Sequence, residues 1–185
     1  MYLHFESINA PDYFERRDLP CPSGSKMAHF GSTYRRAHVN MCLSMRSIYR
    51  AAGPSPDGAG AEIFFDVADI QALQALLRED PYVIGGIWKS WKVRQLVHLL
   101  VPLGPIPICL DGSRVVTALE WAVSDRHAAI EGLHELQRKG MLAVGAVTEE
   151  GTAIAWLHNR ESVDLTRQHL KLSGELRTHS MVWVL

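Results

Sequence analysis

Nine histidines, three cysteines and two arginine pairs are the side chains of this 185-residue sequence best suited to chemistry near neutral pH. His127, Glu131, His134 and Glu135 fall at i, i+4, i+7 and i+8 of one helical stretch, a spacing that can seat a metal ion. They also lie opposite Ala128, Ile130, Leu133 and Leu136, and a solvated polar face explains them more simply, so no metal is assigned. His4, His29, His98, His158, His169 and His179 show no ligand spacing. Cys21, Cys42 and Cys109 are scattered and odd in number, which gives neither a disulfide framework nor a Cys-x-x-Cys metal pattern. Reduced thiols are expected. Arg16, Arg17, Arg35 and Arg36 flank a long loop and the start of a helix. Their guanidinium groups suit an anionic carboxylate or phenolate, although exposed loop charges are the simpler reading. No phosphate-binding glycine loop, Gly-x-Ser-x-Gly or dinucleotide fingerprint is present.

Charge and hydropathy narrow the setting. Lys and Arg number 19 against 20 Asp and Glu, so no net field draws polyanions and no nucleic-acid partner is expected. The apolar fraction of 47% is enough to fill a core. Residues 1–9 mix acidic and polar residues into the apolar stretch, at odds with a signal peptide. The apolar run His98–Leu110 is cut by Pro102, Gly104, Pro105 and Pro107 and cannot make a membrane helix. A cytoplasmic protein without a membrane partner is the expectation.

The elements that position these residues follow from periodicity. Met1–Ile8 alternates like a strand. Residues 9–31 carry three prolines, glycines and an arginine pair, and read as an unusually long loop. A helix is expected from Ser32 or Thr33 to about Met45, with Val39, Cys42, Leu43 and Met45 on its apolar side. Ser47–Ala52 and Ala61–Val67 read as strands, and Asp69 caps a helix striped by Ile70, Leu73, Leu76 and Leu77. That helix stops at Asp80-Pro81, because proline disfavours helical geometry in the residue before it. Ile87–Leu96 alternates again. Trp88 and Trp91, three apart on this strand, are expected on opposite faces, one entering the barrel described below and one lying under the helices. The order is βαββαβ, a ferredoxin-like unit.

After a proline-rich linker at residues 98–113 the order returns. Arg114–Val123 is strand-like, Ser124 or Asp125 caps a helix closing at Gly140, and Met141–Val147 with Ala153–Leu157 form a hairpin. Ser162–Leu172 is helical and Ser180–Leu185 is the last strand. An offset of about 92 residues superposes the order of elements, which reads as a degenerate internal duplication. Each unit covers one sheet face with helices and leaves the other bare. Two units packed sheet to sheet bury both bare faces. The expected class is therefore α+β, with tandem ferredoxin-like units at 1–97 and 114–185 forming an α+β barrel within one chain.

Two segments carry a resemblance. Tyr34–Pro54 (YRRAHVNMCLSMRSIYRAAGP) opens a helix with Arg-x-x-His and ends in a strand and Ala-Gly-Pro. Phe65–Arg94 runs strand, helix, Asp-Pro-Tyr, glycine and an aromatic strand. Together they resemble the YCII-like family of the dimeric α+β barrel superfamily, over about residues 1–97. The resemblance implies an active pair of a first-helix histidine and the aspartate of Asp-Pro-Tyr, here His38 and Asp80. Histidine can shuttle a proton near neutrality, and a bound carboxylate fixes its tautomer and raises its basicity. Tyr82 is then a possible pocket donor, Arg35 an anion holder, and Trp88 or Trp91 a stacking surface for an aromatic ring. The implied activity is that of a lyase or isomerase working without a cofactor on a small aromatic or polyketide-like metabolite, in a biosynthetic role. A non-catalytic protein that binds a small molecule in the same barrel is the alternative. Ser173-Gly174 stands where a second Asp-Pro would project, so one site per chain is expected. The assembly is expected to be a monomer with an internal pseudo-dimer, or a homodimer.

Overall fold

The computed structural model describes residues 1–10, 28–102, 107–109, 112–172 and 174–184, with the side chains of 28–33 outside that description. Most of the expected long loop, including Arg16, Arg17 and Cys21, lies outside the described residues, as do parts of the linker and Ser173. In chain order the elements are β1 (Tyr2–Asn9), α1 (Ala28–Ser44), β2 (Tyr49–Pro54), β3 (Gly60–Asp66), α2 (Ile70–Glu79), the short turn α3 (Pro81–Ile84) and β4 (Trp88–Leu100). Then come β5 (Val115–Ala122), α4 (Arg126–Arg138), β6 (Leu142–Thr148), β7 (Thr152–Leu157), α5 (Glu161–His169) and β8 (Arg177–Val182).

Local signals account for most boundaries. The Asp69 carboxylate accepts the Ala72 N–H at 2.7 Å and starts α2, which buries Leu73, Leu76 and Leu77. Ile70, expected on the same stripe, stays exposed. Asp125, rather than Ser124, caps α4 by accepting the Ala128 N–H at 3.1 Å. Gly140 ends that helix with a φ of +68°, a conformation that favours glycine. Some expected bounds move. α1 begins at Ala28, ahead of Ser32 and Thr33, β4 runs on to Leu100, past His98, where the linker was expected to begin, and the last strand spans Arg177–Val182 rather than Ser180–Leu185.

All eight strands join one antiparallel sheet in the order β2-β3-β1-β4-β6-β7-β5-β8. Each half of that order is the ferredoxin-like arrangement, repeated in tandem. The halves meet in a β4–β6 ladder, where Leu96 faces Thr148 and Leu100 faces Gly145. The other seam closes where the Val184 N–H donates to the Ala52 carbonyl at 2.9 Å. The architecture is thus an α+β barrel of continuous sheet.

Alternation sorts the side chains. In β1, Leu3 and Phe5 face the helices and pack with Ile63, Phe65, Leu73 and Leu77. His4 faces the barrel interior, beside Phe64, whose ring in turn meets that of Trp156 edge-on. One part of the interior is apolar, with Phe64, Val116, Ile154, Trp156 and Met181 buried together. Another part holds a buried polar chain. Arg94 grips Glu120 through both its terminal nitrogens, at 2.7 and 3.1 Å, and donates to His4 Nδ1 at 3.0 Å. His4 Nδ1 is thereby an acceptor, which leaves its Nε2–H to donate to Glu62 at 3.2 Å. Glu62 also receives the Trp156 indole N–H at 3.2 Å and a contact from His179. Arg94–Glu120, Glu62–Trp156 and Glu62–His179 each link the first half of the chain to the second.

A Cβ on Gly53 would sit 1.9 Å from the Val182 carbonyl oxygen, so Gly53→Ala must push β2 from β8. A loss of about 1–3 kcal/mol is expected from denaturant midpoints. Burial pushes the Glu62 carboxyl up, but hydrogen bonds from His179 and His4 outweigh it and hold the group well below the usual carboxylate range. The bond to Glu62 in turn holds His179 above the ordinary histidine value, against burial. The Glu62 contribution to stability is complete above its unfolded value of about 4.5 and is lost as pH falls through its lowered pKa. The His179 contribution is complete below about 6.5 and is lost as pH rises through its raised pKa. The stability gap between wild type and His179→Ala should therefore be widest at about pH 5–6 and shrink towards alkaline pH in denaturant titrations.

Candidate active site

Asp80 joins two elements. It ends α2 and opens α3, with Pro81 holding it extended at φ −68° and ψ 125°. Its carboxylate is fully buried, and one oxygen accepts the Tyr82 N–H at 2.8 Å. From α1, His38 Nδ1 lies 3.0 Å from both carboxylate oxygens. A buried carboxylate accepts here, so Nδ1 carries a proton. The ring is held from two further sides. Tyr82 stacks on it at 4.2 Å and 13°, and Trp88 meets it edge-on at 5.2 Å. The arrangement is an imidazole oriented by a fully buried carboxylate.

One turn along α1, Cys42 Sγ lies 3.5 Å from His38 Nε2. Burial first, and then the nearby Asp80 charge, pushes this thiol up to about 12, so it rests protonated. The Tyr49 phenol is pushed up as well, by burial and by its closeness to Cys42.

A cavity of about 240 Å³ opens beside these groups. His38, Cys42 and Arg35 of α1 line it, together with Tyr82, Trp88 and the helix-facing residues Ala52 and Ile63 of β2 and β3. It lies between α1 and the outer face of the sheet. The expectation of a pocket inside the barrel is corrected: that space is taken by the packed apolar residues and the polar chain. A space of about 150 Å³ suffices for benzene, so this one has room for a one- or two-ring molecule.

Five of the six residues singled out from the sequence gather here: His38, Tyr82, Trp88 and Arg35 line the cavity, and Asp80 stands directly behind His38. Trp91 does not line it. The expectation that Trp88 and Trp91 take opposite faces is overturned by a register shift at Ile8/Asn9, opposite β4. Both rings contact Phe5 on the helix side, Trp88 at 4.9 Å and Trp91 at 6.2 Å, and Trp91 remains 42% exposed. The sequence reading missed the contact of Cys42 with His38, placing Cys42 among apolar helix positions. Its spacing of four from His38 was the available signal. Among the described residues no group of three or more His, Cys, Asp or Glu is placed to hold a metal ion. Glu135 instead pairs with Arg138 and Lys139 on the surface of α4.

Comparison with known proteins bears on the fold. No family model and no curated protein matches the chain. Among solved structures, the chain is similar over 98% of its length to a putative monooxygenase from Lactobacillus acidophilus, with 12% identity, 93% of that chain covered and a TM-score of 0.59. It is also similar over its whole length to a putative monooxygenase from Fusobacterium nucleatum, with 8% identity, 92% of that chain covered and a TM-score of 0.56. A dehydrochlorinase from Burkholderia phenoliruptrix, solved with a dihydroxybenzoquinone, aligns with 53% of this chain and 95% of its own at 13% identity and a TM-score of 0.42. At such identities the likeness to the two monooxygenase structures shows the α+β barrel fold. No helix among the described residues is long and apolar enough to cross a membrane.

Asp80 should govern the tautomer of His38. In Asp80→Ala, nitrogen chemical shifts of the His38 ring should move from a single Nδ1–H tautomer to a mixture. Removing the buried cap should also lower stability by about 1–3 kcal/mol.

Proposed function

We propose that this protein is a cofactor-independent lyase or isomerase in which His38, oriented by Asp80, acts as the general base on a small aromatic or polyketide-like metabolite. The carrying observation is the His38–Asp80 pair itself: Nδ1 is held at 3.0 Å by a fully buried carboxylate, and the ring lines a cavity of about 240 Å³. A carbon acid bound there would lose its proton to Nε2, and the imidazolium would be stabilised by Asp80. Returning that proton to another carbon gives isomerisation, and loss of a leaving group gives elimination. Tyr82 and Trp88 offer flat apolar walls, and Arg35 at the cavity suits a phenolate or carboxylate substituent. The resemblance of residues 1–97 to the YCII-like family supports the same pair in the same roles.

On this reading the chain divides into a site-bearing unit at 1–97, a linker at 98–113 and a unit at 114–185 that serves as a built-in partner. Closure of the barrel within one chain supports a monomer.

The test is proton exchange. β-Tetralone, a two-ring ketone with an acidic C–H, should exchange deuterium from heavy water faster with the protein than without it, as followed by NMR. His38→Gln should lose about 10²–10⁴-fold of that enhancement while still binding the ketone. Binding with no exchange in the wild type would make the protein a carrier rather than an enzyme. Equal exchange by His38→Gln would remove the base from the reading.

A further inference from the structure

The basic nitrogen of His38 meets a thiol, a buried donor nearby has no protein partner, and both border one cavity. Cys42 Sγ is 3.5 Å from Nε2, and Asp80 is 3.0 Å from Nδ1, so carboxylate, imidazole and thiol stand in line. This is the order of groups that activates a nucleophile: acceptor, relay, then the group to be deprotonated. Both His38 and Cys42 line the cavity. The second observation concerns Trp88. Its ring lines the same cavity and is 3% exposed, yet its indole N–H has no hydrogen-bond partner among the described residues. An orphan donor beside a cavity is explained by a ligand oxygen that it would bind.

We infer that Cys42 is a nucleophile for α,β-unsaturated carbonyl compounds bound in this cavity, with His38 taking its proton and Trp88 donating to the carbonyl oxygen. This rests on the reading of His38–Asp80 as an oriented base. A thiol is a soft nucleophile and adds to the β-carbon of an enone in preference to its carbonyl carbon. In the step, the S–H proton passes to His38 Nε2 as a bond forms from sulfur to the β-carbon. The carbon–carbon π pair shifts to bond the α-carbon to the carbonyl carbon as the carbonyl π pair moves onto oxygen, and the Trp88 N–H donates to that developing enolate oxygen. His38 then returns the proton to the α-carbon. Nothing is oxidised or reduced, and the reverse sequence expels the free thiol. The protonated resting state of Cys42 makes the residue slow towards reagents that do not occupy the cavity. Its deprotonation is favourable only while the imidazolium stands between the thiolate and Asp80.

The experiment uses the full chain with Cys21→Ser and Cys109→Ser, so that Cys42 is the remaining thiol, and cyclohexenone as probe. Adduct formation is followed by intact mass and located by peptide mapping. A single addition at Cys42 is expected, slowed about tenfold or more by His38→Gln and several-fold by Trp88→Phe, which keeps an aromatic ring but removes the donor. An intact fold in each variant is checked by the denaturant midpoint. The inference is overturned if Cys42 stays unmodified in the folded protein yet reacts once unfolded, or if all variants react at one rate. Exchange of β-tetralone separates the two readings. If exchange needs His38 while Cys42 forms no adduct, the thiol role falls alone. If neither depends on His38, both readings fall.

Discussion

Each four-stranded half carries its helices on one face of the sheet, and the opposite face has to be taken out of water. Joining the halves edge to edge through β4 and β6, and closing the seam at Ala52 and Val184, turns both bare faces into a single interior. That interior is filled by large side chains such as Phe64 and Trp156, and by the chain Glu120–Arg94–His4–Glu62–His179. Buried charges are costly unless each has a partner. Here every link of the chain is made, and its members come from β1, β3, β4, β5 and β8. Such a set fits together only when the halves are in one register, so the chain specifies how they pack as well as holding them.

Beneath α1, on the outer face of the sheet, a cavity of about 240 Å³ remains open. There the physics is that of a dry carboxylate. Asp80 is fully buried and takes the Tyr82 N–H and the His38 Nδ1–H. That contact places a proton on Nδ1 and turns Nε2 towards Cys42. Stacking on Tyr82 and the edge of Trp88 stop the ring from turning away. Fold and chemistry thus meet in one peptide segment, because the Asp-Pro pair that stops α2 also places the orienting carboxylate.

Much of this was legible in the sequence because the signals are local. Strand alternation, the caps at Asp69 and Asp125 and the turn at Gly140 depend on residues a few positions apart. His38 and Asp80 were legible through the motifs around them. What escaped depends on three-dimensional neighbours. The bulge at Ile8/Asn9 that turns Trp88 and Trp91 to one face is a property of strand pairing and leaves no mark in the spacing of the tryptophans. His4, Glu62, Arg94 and Glu120 sit at the polar positions of alternating strands, and their partnership inside the barrel depends on residues far apart in sequence. The extension of β4 to Leu100 is likewise set by its new neighbour β6.

The central claim is that chemistry takes place between α1 and the outer face of the sheet, against His38. A crystal structure of the protein soaked with β-tetralone tests it most directly. The account predicts the ketone flat against Tyr82 and Trp88, with its acidic carbon within reach of His38 Nε2. Ligand seated inside the barrel against Glu62 and His4, or bound away from His38, would contradict it.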